Sequence, residues 1–111
     1  MTFSRWDVVV VEFPYIEGMD SKRRPALIVS TDRLQKDHSL YWTVMITTAK
    51  AGVRPDDIAV TNRTQAGLPE DCVIRVPRMS AFLENQILRR LGSISTKDRN
   101  AVGALLRRYV P

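Results

Sequence analysis

Lys22-Arg23-Arg24-Pro25-Ala26-Leu27-Ile28-Val29-Ser30 runs three cations into a proline and then into four apolar residues. Proline fixes its own φ and disfavours the helical region for the residue before it, so Arg24 is expected to be extended. The apolar run then reads as a buried strand over Pro25–Ser30. Arg24 is expected at the rigid mouth of that strand, held by the fold. An arginine held in this way suits anions, because its planar fork can grip phosphate through two bonds.

Outward from this block the first half of the chain alternates short apolar runs with turn signals, the pattern of a β-rich fold. Asp7–Phe13 is β-branched and nearly continuous, a central strand. Residues 14–22 form a loop containing Gly18. Residues 31–39 are polar and predict a short helix or an irregular loop. Tyr41–Thr48 is a third strand, rich in aromatic and β-branched residues. Asp57–Thr61 predicts a fourth strand, residues 62–71 a loop, and Cys72–Val76 a fifth strand stopped by Pro77. Residues 79–91 are ambiguous, since Leu83, Ile87 and Leu91 fit helical spacing while Ile87-Leu88 also fits a strand. The chain closes on an amphipathic helix. Ser95 and Asp98 have capping-box spacing, Val102, Leu105, Leu106 and Tyr109 follow at helical positions, and Arg107 and Arg108 fall in the last turn.

The sequence has 111 residues, 44% of them apolar, enough for a single domain with its own core. No apolar run approaches the roughly 20 residues that span a bilayer. The N-terminus lacks the cationic-then-apolar order of a signal peptide. One cysteine, Cys72, excludes an internal disulfide and a Cys-rich zinc site. These features favour the cytoplasm. The net charge is +5, and thirteen of the seventeen cations are arginine. Such an excess points to a polyanionic partner, nucleic acid or an acidic protein, against the alternative of an inert basic surface.

There is one histidine, His38, in a polar stretch that reads as surface loop. No Gly-rich phosphate loop, metal-ligand spacing or nucleophile elbow is present, so cofactor chemistry has no support. What remain are arginines and hydroxyls at strand ends. Thr47 and Thr48 close the third strand. Arg75 stands in an otherwise apolar strand and needs a partner, because an unpaired buried charge is costly. Asp7, Glu12 and Asp71 are candidates for it. Trp6, Tyr41 and Trp42 could stack on bases, but aromatic residues in strands more often belong to the core.

The order of these features resembles the MazF/PemK (Kid-like) family of toxins from bacterial toxin–antitoxin systems. The likeness begins with Asp7-Val8-Val9-Val10-Val11 and Phe13-Pro14, continues through Gly18 and Asp20, and is strongest in the Lys22–Ser30 block. Val44-Met45-Ile46-Thr47-Thr48, Gly67-Leu68, Val73-Ile74-Arg75 and Leu91-Gly92-Ser93-Ile94-Ser95 extend it over nearly the whole chain. The resemblance implies a mainly β fold with helices (α+β), namely a small, strongly curved SH3-like β-barrel with a C-terminal amphipathic helix, assembled as a homodimer. It implies a metal-independent endoribonuclease that cuts single-stranded RNA by attack of the 2′-OH on the adjacent phosphate, inhibited by an acidic antitoxin.

By the same resemblance Arg24 and Thr47 match the catalytic pair. Thr48 and Arg75 match positions that bind or support RNA. Arg23 belongs to the basic block, and Asp20 stands where many members have glutamate. The family's usual glycine before the opening aspartate is Trp6 here. A histidine that some relatives carry in the first loop is matched by Met19, and a carboxylate that some carry two positions after the matching arginine is matched by Pro77. The residues leave two other readings open. One is a non-enzymatic toxin on the same barrel, like the CcdB gyrase poisons; the other is a nucleic-acid-binding module without catalysis.

Overall fold

The Lys-Arg-Arg-Pro block lies inside a strand rather than at its mouth. In the computed structural model, which describes residues 2–14 and 21–111, β2 spans Ser21–Ile28 and pairs antiparallel with β1, Asp7–Pro14. Arg23 stands opposite Glu12, Arg24 opposite Val11 and Pro25 opposite Val10. The proline is tolerated there because the ladder to β3 (Leu40–Thr48) begins only at Ala26, opposite Met45. No bond to β3 is lost for want of a proline N–H.

The remaining strands are β4 (Asp57–Ala59), β5 (Cys72–Leu83) and β6 (Ile87–Ser93), and the antiparallel sheet runs β4-β5-β3-β2-β1-β6. Among the described residues three α-helices accompany it: α1 (Asp32–His38), α2 (Arg63–Ala66) and α3 (Thr96–Tyr109). The mainly β, α+β class therefore holds. The ladder does not close into a barrel, because β4 and β6 remain its two edges. β4 is only three residues long, and helices pack where further pairing would be needed, α2 against β6 and α3 against β4.

Side-chain alternation sends Val8, Leu27, Val44, Ile46 and Ile74 to one face, where Val102 and Leu105 of α3 join them. Val9, Val11, Ala26 and Ile28 go to the other face and pack with Tyr41, Phe82, Ile87 and Phe3. Burial on both faces explains the unbroken valine run of β1. Tyr41 ties the second core together. It stacks edge-on to Phe3 at 5.9 Å, accepts from the Phe3 N–H and donates to Glu84. Burial raises its pKa above the usual phenol value.

Several elements differ from the sequence expectation. Pro77 does not stop β5. Between the pairs Val44–Met79 and Met45–Arg75, β5 carries three more residues than β3, and the proline sits in that bulge. Bulges are where a strand tolerates a missing donor. The expected loop over 62–71 contains α2, capped by the Asn62 side chain on the Gln65 N–H and ended by Gly67 at φ 74°. The ambiguous stretch resolves into the end of β5, a 3-10 turn over Glu84–Gln86, and β6. The capping box of α3 is half formed. Ser95 Oγ accepts from the Asp98 N–H at 3.2 Å, but the Asp98 carboxylate turns to Thr61, taking its N–H at 2.9 Å and its hydroxyl at 3.0 Å.

Candidate functional site

Arg24 and Thr47 arrive on neighbouring strands and on the same face. The β2–β3 ladder ends at Ala26–Met45; Arg24 precedes Ala26 by two residues and Thr47 follows Met45 by two, so the two flank the point where the strands part. Arg24 is half-buried and Thr47 is buried, at 9% exposure. Thr47 and Thr48 pair with Val73 and Cys72 of β5. Directly after them the Ala49 N–H donates to the Asp71 carbonyl at 2.9 Å and the chain enters a 3-10 turn over Ala49–Ala51. The strand end that carries both hydroxyls is therefore fixed by backbone bonds.

Arg75 shares that face. Ala26, Met45, Arg75 and Asp57 form one row across β2, β3, β5 and β4. Arg75 donates to Asp57 through Nε at 3.2 Å and through Nη2 at 3.0 Å, and Nη2 also reaches the Gly52 carbonyl at 3.0 Å. The two side chains are 7% and 0% exposed. The Arg75 hydrogen bonds hold the Asp57 carboxyl below the usual carboxylate range, and Asp57 in turn raises the guanidinium pKa. The expected partners are corrected by this geometry. Asp7 accepts instead from Arg90 at 3.0 Å, Asp71 lies 3.6 Å from Arg63, and Glu12 stands opposite Arg23 on the next strand. Asp57 wins because β4 places it directly beside Arg75 in register. Arg75 thus braces the segment between Gly52 and Asp57, beside the strand end that carries the threonines.

Arg23 alternates to the face of Pro25, away from Thr47. There a groove of about 430 Å³ is lined by Val10, Arg23, Arg24, Pro25, Leu88 and Arg89. Arg89 lies opposite Val10 through the β1–β6 pairing, so three arginines from two strands, β2 and β6, meet along one apolar floor. Sequence reasoning missed Arg89. Its signal was the Arg89-Arg90 pair, hidden in the stretch whose periodicity fitted both helix and strand. Asp20 lies outside the described residues, as do Gly18 and Met19. His38 is exposed at the end of α1.

The aromatic residues divide. Tyr41 is core, Trp6 is partly buried, and Trp42 is 47% exposed, contrary to the core expectation. Trp6 also explains why a glycine suits its position. Its backbone is left-handed, φ 76°, a conformation glycine adopts freely. The tryptophan is held in it by its own N–H to the Ile28 carbonyl at 2.8 Å and by the Ile94 N–H to its carbonyl at 3.2 Å. Among the described residues no three His, Cys, Asp or Glu side chains gather as metal ligands would. No helix among them is long and apolar enough to cross a membrane.

Among the solved structures to which the chain is similar at low identity are the following three. A MazE–MazF structure from Deinococcus radiodurans matches with a TM-score of 0.79 and 15% identity, covering 99% of this chain and 96% of that one. An endoribonuclease in complex with its cognate antitoxin, from a Mycobacterial species, matches with a TM-score of 0.70 and 17% identity over 96% and 91% of the two chains. The Mycobacterium tuberculosis toxin MazF-mt6 matches with a TM-score of 0.71 and 15% identity over 92% and 93%. No individual curated protein matches the sequence. At such identities the structures establish a shared fold. The family model for the PemK-like, MazF-like toxin of type II toxin–antitoxin systems matches residues 4–110, and the chain belongs to that family.

Proposed function

We propose that this protein, as a single toxin domain over residues 1–111, is a metal-independent endoribonuclease that cuts single-stranded RNA. What supports this reading is that Arg24 and Thr47 stand two residues past the last β2–β3 pair, Ala26–Met45, on one face at a backbone-fixed strand end, with Arg24 also lining a groove of arginines. RNA contains its own nucleophile. The 2′-oxygen attacks the adjacent phosphorus and gives its proton to water, the bond to the 5′-oxygen breaks, and that oxygen takes a proton from water, so the products are a 2′,3′-cyclic phosphate and a 5′-hydroxyl. Charge builds on the non-bridging oxygens as the new bond forms. Fixed donors stabilise that charge best, because they need no reorganisation during the reaction. Arg24 supplies a charged fork and Thr47 a hydroxyl. A guanidinium donates hydrogen bonds and accepts none, so Arg24 acts through its charge, not as the base that takes the 2′-OH proton.

Arg23 and Arg89, whose groove meets the reacting pair through Arg24, contact phosphates further along the strand, and Thr48 supports the strand end of Thr47. Arg75 serves by holding the 52–57 segment against Asp57, with its donors committed there. Asp20 is assigned a supporting role in the loop before β2 by family likeness alone. The same basic groove accepts the acidic antitoxin, which blocks RNA by occupying it, and the toxin works as a cytoplasmic homodimer. The named neighbours that include an endoribonuclease and a cognate antitoxin support this reading.

Labelled single-stranded RNA incubated with the protein and excess EDTA tests it. Cleavage is expected to persist and to leave 5′-hydroxyl ends. Arg24→Ala is expected to lower the rate by about two to three orders of magnitude, the cost of removing one preorganised charged donor, and Thr47→Ala to lower it by less. Unchanged cleavage by both variants overturns the assignment. Growth arrest with intact RNA and damaged DNA would point instead to a gyrase-type poison.

A further inference from the structure

A second basic cavity lies at the start of β1, away from the groove. It is lined by Arg5, Trp6, Thr96, Arg99, Asn100 and Arg107, has Gly103 in its floor, and encloses about 390 Å³. Three guanidinium groups share it, and among the described residues no carboxylate forms an ion pair with any of them. Arg75 and Arg90, by contrast, are paired with Asp57 and Asp7.

Two of these three arginines are nevertheless fixed. The Arg5 guanidinium lies 4.4 Å from the centre of the Trp6 ring, a cation–π contact that engages its face and leaves its edge donors available. Trp6 is itself locked by its two backbone bonds. Arg99 donates Nε to the Ile94 carbonyl at 3.0 Å, using one of five donors. Like charges are thus gathered in one cavity and held there by neutral groups, the layout of a site for an anion. Gly103 fits the same reading. A glycine inside a helix is destabilising, its φ is not left-handed, and a Cβ there would meet only Arg107 Nη1, at 3.7 Å. Its absence of a side chain keeps the cavity deep.

We propose that this cavity binds a backbone phosphate of RNA at a point remote from the scissile bond. A carboxylate presents two oxygens in one plane and is satisfied by a single fork. Three forks with a threonine hydroxyl and an asparagine amide around them suit a tetrahedral phosphate better. Trp6 adjoins Asp7, the first residue of β1, and Asp7 precedes the groove residue Val10 by three positions, about 10 Å along an extended strand, so one RNA strand can engage both sites. The identity of the anion rests on the ribonuclease reading; the site itself does not.

The test uses the full chain and uncleavable 2′-O-methyl RNA in two lengths, one long enough to reach both sites and one confined to the groove. Removing one phosphate interaction is expected to weaken long-strand binding roughly fivefold at about 0.1 M salt and to make the salt slope shallower by about 0.7. Arg5→Gln/Arg107→Gln should show at least that effect. The short strand should bind unchanged. Asn100→Asp, which adds a carboxylate at constant volume, should shift long-strand affinity in the same direction, and melting curves check that the exposed substitutions leave the fold intact. Equal long-strand binding by wild type and both variants would sink the proposal. So would variants that lose polyglutamate but keep RNA, which would make the cavity a seat for acidic protein. If wild type leaves an unmodified strand of the same sequence uncut while the variants still bind the 2′-O-methyl strand more weakly, the cavity stands and the ribonuclease reading falls.

Discussion

Asp57 was invisible in the sequence as a site residue, yet it decides what Arg75 does. An arginine amid valine and isoleucine announces a buried charge, but nothing local announces its partner. That partner comes from β4 through pairing of distant segments. A prediction follows from the depressed pKa of Asp57. A carboxyl whose folded pKa lies below its unfolded value contributes stability that is fully present above the unfolded value, near 3.9. That stability is lost as pH falls through the lower folded value. Asp57→Asn should therefore lower the melting temperature at pH 7 and flatten the loss of stability below about pH 4. Melting curves by circular dichroism across pH would show both effects, and an acid limb as steep as in wild type would contradict the Arg75–Asp57 account. Arg24 and Thr47 stood out as candidates for the opposite reason. The proline beside Arg24 and the strand-ending hydroxyls are local signals, whereas the face the two share comes from the β2–β3 register.

Among the elements, strong periodicity read correctly and exceptions did not. β1, β3 and α3 follow their apolar patterns. β2 begins four residues earlier than the apolar run, because its cationic half pairs only with β1. β5 passes through Pro77 by bulging, and α2 is too short for a period to show. α2 packs onto β6 through two glycines. A Cβ on Gly92 would lie 2.1 Å from the Gln65 carbonyl oxygen, and one on Gly67 would lie 2.2 Å from that of Leu91. Backbone cannot move aside as a flexible side chain can. Gly92→Ala should therefore cost about 1–3 kcal/mol, the range of overpacked sites. Gly103→Ala, with open space around its Cβ and a helix to favour, should gain about 0.5–1 kcal/mol. Denaturant titration of the two variants gives opposite shifts in midpoint if close backbone approach is what fixes Gly92; a destabilised Gly103→Ala or a neutral Gly92→Ala would refute that contrast.

For the molecule as a whole, the +5 charge matters less than its distribution. Asp57, Asp7 and Asp71 are occupied by Arg75, Arg90 and Arg63, and Asp98 is buried against Thr61. Arg23, Arg24 and Arg89 line the groove at β2 and β6. Arg89 is exposed there and stands on a different strand from the proposed catalytic pair. Its charge should act on substrate and transition state alike, which is uniform binding. Arg89→Gln is therefore expected to raise KM for RNA with little change in kcat, and to make the salt dependence of binding shallower by about 0.7, the share of one phosphate interaction. If the antitoxin's acidic segment uses the same groove, its affinity should fall in parallel, because both partners meet the same guanidinium. Steady-state cleavage at several salt concentrations, with competition by an acidic peptide, measures all three. A fall in kcat as large as that for Arg24→Ala would move Arg89 into the reacting centre. RNA affinity that falls while peptide affinity holds would separate the antitoxin's seat from the RNA groove.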